Sequence, residues 1–205
     1  MKKFELTNEF ITNMFGTKLF RIRALVEFGD VEAGELGGYV EKESNLGHDD
    51  NAWVYDNAWV YGDAQVSGDA LVYDNAWVYG DAQVSGDALV YGNARVYGNA
   101  WVYGNAWVYG NAWVYGNALV CSDEDYAYAH GFGSVNRTTT FFRLKDGGVG
   151  VRCGCFYGTL AQFRDKIRET HGETKKAQEY LMLADLMELR FEEDENEVGN
   201  RKYVE

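Results

Sequence analysis

Residues 57–73 read NAWVYGDAQVSGDALVY, and the same letters return unchanged at residues 75–91. Inside this block a shorter period of six is visible, because Ala recurs at every sixth position and Val two residues after it throughout residues 51–122. Nine of the twelve units have the form Asn/Asp-Ala-x-Val-Tyr/Ser-Gly, two end in Asp (Asp56 and Asp74), and the last ends in Cys121-Ser122. A fixed short period is typical of a solenoid, in which each repeat buries its apolar face against its neighbours. Residues 51–122 are therefore predicted to fold as a repeat.

The shift between the two copies is eighteen residues, or three hexapeptides, so three hexapeptides are predicted to make one turn. Alternation along each extended unit places Ala and Val on one side and residues such as Trp53 and Tyr55 on the other. Gly, Asn and Asp at the end of each unit tolerate the backbone of a tight corner. The pattern predicts a mainly β protein built on a triangular coil of about four turns of three hexapeptides.

These hexapeptides resemble those of the left-handed parallel β-helix superfamily, in which an aliphatic residue is followed four positions later by a small one. Val54 with Ala58 and Val60 with Ala64 show this spacing. The resemblance implies a left-handed β-helix over residues 51–122. It also implies a possible activity, since the superfamily includes acyltransferases that use a histidine near the coils as general base toward an acyl-CoA thioester.

A second, looser resemblance lies before the repeats. The segments RIRAL at 21–25, GDVEAG at 29–34 and GGYV at 37–40 look like the N-terminal region of bacterial and prophage proteins with Val-Tyr-Gly-Asn-Ala repeats. This likeness implies a phage accessory role in which the protein engages a host factor.

Charge and composition argue against several classes of protein. The net charge of −13 divides into −4 for residues 1–50, −5 for 51–122 and −4 for 123–205, so no part is a basic nucleic-acid binder. No stretch approaches the roughly 18 apolar residues of a membrane span, and the first residues lack the apolar core of a signal peptide. The odd number of cysteines fits reduced thiols. We expect a cytoplasmic protein without membrane or nucleic-acid partners.

The two ends of a solenoid are open sheet edges, which invite association with other chains. Residues 1–50 are therefore predicted to be an N-terminal lead-in segment that caps one end, and residues 123–191 a module at the other end. Residues 192–205 form an acidic tail.

The C-terminal module is predicted to be ββαα. Asp146-Gly147 separates two β-rich runs, 138–144 and 149–156, as in a hairpin. Thr159 with Gln162 has the spacing of a capping box, which predicts a helix that ends at Gly172. A second helix is predicted at about 174–191.

Turns stacked eighteen residues apart place aromatic side chains in two neighbouring columns on one face. The columns contain Trp59, Trp77 and Trp113, with Arg95 in the third place, and Tyr61, Tyr79, Tyr97 and Tyr115. Three uses of this aromatic face stay open: stabilisation of its own sheet, association with a second copy of the chain, and binding of a sugar or a base.

The C-terminal module is locally basic in an acidic protein, with seven Lys and Arg against two Asp in residues 137–168. Four of these basic residues are candidates for binding a phosphate or an acidic partner: Arg137, Arg143, Lys145 and Arg152. Solubility and pairing with acidic helix residues are the alternative explanation.

Catalytic and metal chemistry have weaker support. No histidine lies within residues 51–122, so His130, which follows the last coil, is the candidate base if the protein is an acyltransferase. Cys153 and Cys155 stand closer together than the usual zinc-binding pair. No metal or cofactor is expected.

We therefore expect a non-catalytic binding or scaffold protein that engages a protein partner through the C-terminal module, with a homo-oligomer also open. An acyl-CoA-dependent acyltransferase and a nucleotide or small-anion binding protein are the alternatives.

Overall fold

The computed structural model describes residues 2–133 and 135–192. Its strands are β1 (Phe4–Thr12), β2 (Lys18–Ala24), β3 (Leu36–Val40), β4 (Trp53–Val54), β5 (Trp59–Val60), β6 (Gln65–Val66), β7 (Leu71–Val72), β8 (Trp77–Gly80), β9 (Gln83–Val84), β10 (Leu89–Val90), β11 (Arg95–Gly98), β12 (Trp101–Val102), β13 (Trp107–Val108), β14 (Trp113–Gly116), β15 (Leu119–Val120), β16 (Tyr126–Phe132), β17 (Arg137–Arg143), β18 (Val149–Cys153) and β19 (Phe156–Thr159). The helices are α1 (Leu160–His171) and α2 (Lys175–Phe191). The predicted acidic tail lies outside the described residues, apart from Glu192.

The hexapeptides form a solenoid with three parallel sheets. The sheets are β5-β8-β11-β14, β4-β7-β10-β13 and β6-β9-β12-β15. Partners lie eighteen residues apart, as in the pair Trp59 and Trp77, so the prediction of a repeat β-helix is confirmed. Every Ala and Val of the hexapeptides is completely buried. At about 1.5 kcal/mol for each buried Val, this thin core is the main source of stability in the coil.

Most corners of the coil are formed by glycine, although Asp56 and Asp74 take the same position with φ values of 53° and 59°. Gly80 has a φ of 74°, in the left-handed region that side chains with a Cβ disfavour. A Cβ at Gly80 would also lie 3.0 Å from the backbone nitrogen of Gly98 in the next turn. The turns can therefore stack at this corner only if the position is free of a side chain.

Stacking begins before the first hexapeptide. Tyr39 in β3 pairs in parallel with Trp59, and Leu46 forms a parallel bridge with Val66. β1 and β2 extend the same sheet in antiparallel fashion beyond β3. The solenoid thus has about five turns rather than the four of the hexapeptides alone. The added pairs are twenty residues apart instead of eighteen, so the hexapeptide pattern does not include them.

The N-terminal segment also covers part of the coil's outer surface. Trp53 lies on the outer side, as the alternation predicts, but it is completely buried. The rings of Phe4 and Phe28 pack against it at centroid distances of 6.2 and 5.3 Å. The outer aromatic residue of the first hexapeptide therefore belongs to the core.

The C-terminal module is a four-stranded antiparallel sheet, β16-β17-β18-β19, followed by two helices. The hairpin of β17 and β18 and both helices agree with the predicted pattern, and Thr159 and Gln162 form the capping box. β16 and β19 are additions to the predicted ββαα order. β16 has aromatic residues that favour strands, but Ala, His and Gly separate them, and β19 has only four residues, so both strands were missed. Within the described residues, no helix is long and apolar enough to cross a membrane.

The module closes the last turn of the solenoid. Phe142 is completely buried and belongs to the solenoid core. The backbone nitrogen of Lys145 donates to the carbonyl of Asn117 at 3.0 Å, and that of Trp113 donates to Thr140 Oγ1 at 3.0 Å. The β-edges that would be open at this end are therefore partly hydrogen-bonded to the module.

Candidate anion-binding cleft

One column on the solenoid is a continuous stack of rings and guanidinium groups. The rings of Trp59 and Trp77 are 4.5 Å apart and within 5° of parallel. The Arg95 guanidinium lies 4.3 Å from the Trp77 ring and 4.9 Å from the Trp113 ring. Arg152 from the module lies over Trp113 at 5.3 Å. We call this set the Trp/Arg column.

The neighbouring tyrosines form a stack whose first three rings are nearly parallel and whose last ring, Tyr115, is tilted by 31°. Tyr61, Tyr79, Tyr97 and Tyr115 follow one another at 4.9, 4.7 and 4.3 Å. Burial raises the pKa of both Tyr79 and Tyr97 above the usual value for tyrosine. The hydroxyls of Tyr79 and Tyr97 therefore stay protonated to a higher pH than that of a free tyrosine.

A cleft opens where the Trp/Arg column meets the module, with a volume of about 510 Å³. A smaller cavity of about 240 Å³ continues from it along the solenoid. The cleft is lined by Asn93, Arg95, Asn111, Trp113, His130, Val135, Asn136, Arg137, Thr138 and Gly154. The smaller cavity is lined by Asn57, Trp59, Asn75, Trp77, Asn93 and Arg95. None of the described residues that line either space is an Asp or a Glu.

Arg95 comes from the solenoid wall of the cleft. Its two faces are covered by Trp77 and Trp113, so it can meet a ligand through the N–H groups at its edge. Within the described part of the chain it makes no ion pair with a carboxylate. Among residues 2–133 and 135–192, no carboxylate therefore neutralises its charge.

Arg137 comes from the module wall of the same cleft. Its guanidinium packs against Gly154, where a Cβ would collide with it. Gly154 has a φ of 60°, so glycine suits the position for both reasons. Like Arg95, Arg137 has no carboxylate partner among residues 2–133 and 135–192.

His130 is exposed at the same cleft. Its Nδ1 lies 3.0 Å from Thr138 Oγ1, which leaves Nε2 for a ligand. The structure therefore brings two guanidinium groups and an imidazole together from two distant parts of the chain.

Arg143 and Arg152, which were predicted to bind an anion together with Arg137, contact other residues of the protein instead of lining the cleft. Arg143 forms an ion pair with Asp125 at 3.1 Å, and both side chains are mostly buried. Arg152 Nε donates to the Tyr97 hydroxyl at 3.1 Å, and its Nη1 donates to the carbonyl of Phe156. These contacts attach the two arginines within the protein, so they do not share an open face with Arg137.

Lys145 is also attached to the solenoid. Its Nζ lies 3.9 Å from the ring of Trp101 and donates to the carbonyl of Asn99 at 2.8 Å. Burial lowers the pKa of Lys145. The side chain thus fastens the module to a second face of the coil.

Each of the three cysteines has different neighbours. Cys121 Sγ lies 2.9 Å from Asp125 Oδ2, Cys153 Sγ contacts Thr139 at 3.2 Å, and Cys155 is exposed. Across the described ranges, no group of three or more His, Cys, Asp or Glu side chains is placed to hold a metal ion.

The importance of Arg95 was missed from the sequence, although a signal was present. Arg95 is the one charged residue at the variable position of the twelve hexapeptides, where the others have Trp, Leu or Gln. The hexapeptides at 57–62, 75–80 and 111–116 in the same column all read NAWVYG. Arg95, the residue that replaces Trp in this column, lines the cleft.

A family model described as the YdcK beta solenoid repeat matches the chain over residues 64–80, 82–96, 90–104, 94–110 and 100–116. All these matches lie inside the stacked hexapeptides. No curated protein matches the chain. The matches and the three stacked sheets show that the centre of this chain is a repeat β-helix similar to YdcK beta solenoid repeats.

Proposed function

We propose that the protein is a non-catalytic binding protein whose cleft takes an anionic group of its ligand. The main supporting observation is that Arg95 and Arg137 line one cleft with His130, and that none of the described residues lining this cleft is acidic. Guanidinium groups bind carboxylates and phosphates through paired N–H donors. In a chain of net charge −13, two arginines that have no carboxylate partner among the described residues favour an external anion.

Isothermal titration with inorganic phosphate at low ionic strength tests this proposal, since salt screens such contacts. Arg95→Trp restores the NAWVYG hexapeptide and replaces the guanidinium, with its charge and N–H donors, by an indole ring. Arg137→Gln removes the second guanidinium. Each change is expected to weaken binding by about tenfold or more. Arg168→Gln is the matched control, because Arg168 is an exposed arginine on α1 that lies outside the cleft. Equal binding by all four proteins, or none by the wild type, would contradict the proposal.

A protein partner at the C-terminal module is a second proposal, favoured by a different surface. Met182, Leu186 and Leu189 on α2 are 72%, 53% and 68% exposed. Their spacing places them on one face of the helix. An apolar stripe is complementary to itself, as a twofold dimer requires, so we propose a second copy of the chain as the partner.

Light scattering over a concentration series tests the dimer. We expect the mass to approach that of a dimer at high concentration and Leu186→Lys to remain monomeric. Met14→Lys, which changes an apolar side chain that is 82% exposed at the other end of the molecule, is expected to dimerise normally. A wild type that is monomeric at every concentration would rule this proposal out.

The handedness of the β-helix, its repeat type and the cellular role of the protein are also proposals. We propose that the β-helix is left-handed and of the hexapeptide type, because a period of six with three sheets is typical of that superfamily. We further propose a phage accessory role in the cytoplasm, on the likeness of residues 21–40 to prophage proteins. A high-resolution structure checks the handedness.

The acyltransferase alternative has one supporting observation, which is that His130 lies in the cleft. An acyl-CoA has phosphates that the two arginines would bind. Acetyl-CoA would then raise the melting temperature, and His130→Ala would abolish acyl transfer to an amine or hydroxyl acceptor. The non-catalytic proposal predicts that no transfer is detected with either protein.

A further inference from the structure

A row of asparagine side chains runs beside the Trp/Arg column. Asn57, Asn75, Asn93 and Asn111 follow at one residue per turn, and all four are exposed. Asn93 Nδ2 donates to Asn111 Oδ1 at 3.3 Å, which leaves further donor and acceptor sites on both amides. The row leads from the cleft into the smaller cavity. Amides that both donate and accept are suited to hydroxyl groups, which do the same.

The rings of Trp77 and Trp113 have both faces covered, so a ligand can reach only their edges. One face of Trp77 is covered by Trp59 and the other by Arg95. Trp113 is covered by Arg95 and Arg152 in the same way. A nucleobase gains much of its binding energy by stacking on an aromatic face. Trp77 and Trp113 have no such face free, so the arrangement disfavours a nucleotide whose base stacks on either of these two rings.

The cationic groups favour a phosphate over a carboxylate. Arg95, Arg137 and His130 provide donors from two walls of the cleft. A phosphate monoester has three terminal oxygens and a charge of about −1.5 to −2 at neutral pH. A carboxylate has two oxygens and a single charge, so it would use fewer of these donors.

We infer that the ligand is a phosphorylated sugar, with its phosphate between Arg95 and Arg137 and its hydroxyl groups on the asparagine row. The inference rests on the proposed function, because it names the ligand class for the same cleft. The phosphate supplies the charge recognition, and Asn93 and Asn111 supply the recognition of the sugar.

The test compares isothermal titrations of the full chain with inorganic phosphate, the 6-phosphates of glucose, mannose and N-acetylglucosamine, glucuronate and AMP. At least one hexose phosphate is expected to bind ten times more tightly than inorganic phosphate. Asn93→Ala with Asn111→Ala is expected to remove that gain, so that this variant binds no hexose phosphate more tightly than it binds inorganic phosphate. The matched control is Asn105→Ala, at the same hexapeptide position outside both cavities, and it is expected to keep the gain.

The outcomes separate this inference from the proposed function. If inorganic phosphate binds and no hexose phosphate binds more tightly, the proposal of an anion-binding cleft stands, but the inference of a phosphorylated sugar is overturned. Equal or tighter binding of glucuronate or AMP than of every hexose phosphate would overturn it in favour of a carboxylate or a nucleotide. If nothing in the panel binds, both proposals fail.

Discussion

Arg152 Nε donates a hydrogen bond of 3.1 Å to the hydroxyl of Tyr97. Arg152 belongs to the C-terminal module, whereas Tyr97 lies in β11, one turn before the last strand of its sheet. The module therefore reaches along the side of the solenoid as well as covering its end. Since the two walls of the cleft come from these two parts, the cleft depends on their attachment.

Removal of this attachment is expected to destabilise the module. Arg152→Ala should lower the free energy of unfolding by about 1.5–3 kcal/mol, the usual range for a hydrogen bond from a charged group. Tyr97→Phe keeps the ring in its stack and should cost about 1 kcal/mol. Urea unfolding followed by circular dichroism measures both. An unchanged midpoint for Arg152→Ala would show that the contact does not hold the module.

The ion pair of Arg143 and Asp125 should matter more, because it is almost completely shielded from water. Arg143→Met leaves a carboxylate that is 2% exposed without its cation. We expect a loss of about 3–5 kcal/mol, typical of a broken buried pair. This loss in the free energy of unfolding is measured by thermal unfolding of each single variant and of the double variant Arg143→Met with Asp125→Leu. A loss below about 1 kcal/mol for Arg143→Met would contradict the assignment.

Arg95→Trp should leave stability nearly unchanged. The substitution exchanges a cation–π contact for a ring stack like that of Trp59 and Trp77, and both are worth about 1 kcal/mol. We expect the free energy of unfolding to shift by no more than about 1 kcal/mol in either direction. A larger loss in calorimetry would mean that Arg95 has a structural role, and the variant would then not be a clean test of charge.

The solenoid could be predicted in detail because its register follows from one number, the eighteen-residue shift. That shift correctly placed Arg95 opposite Trp77, and the local capping signal correctly began α1 after Thr159. The burial of Trp53 could not be predicted, because Phe4 and Phe28 reach it from a segment outside the repeat. The cleft was missed for the same reason. Arg95 and Arg137 meet through the docking of two units, and no local pattern encodes that docking.

The tyrosine stack predicts a loss of stability in alkali. Burial raises the pKa of Tyr79 in the folded state above its unfolded value of 10.0. The stability that protonated Tyr79 contributes is therefore fully present below about pH 10. It is lost as the pH rises from there through the pKa of Tyr79 in the folded state. We expect the urea midpoint to fall above about pH 10 with a smaller slope for Tyr79→Phe. Tyrosinate absorbance that appears at the pH of free tyrosine, with no change in the midpoint, would argue against this.

We propose that the cleft binds an oxyanion between Arg95 and Arg137, and anomalous diffraction from crystals soaked in tungstate, a heavy tetrahedral dianion, tests this most directly. We expect the strongest peak within hydrogen-bonding distance of both guanidinium groups, and we expect it to disappear in crystals of Arg95→Trp. Peaks confined to surface lysines, or a cleft peak that persists in Arg95→Trp, would contradict it.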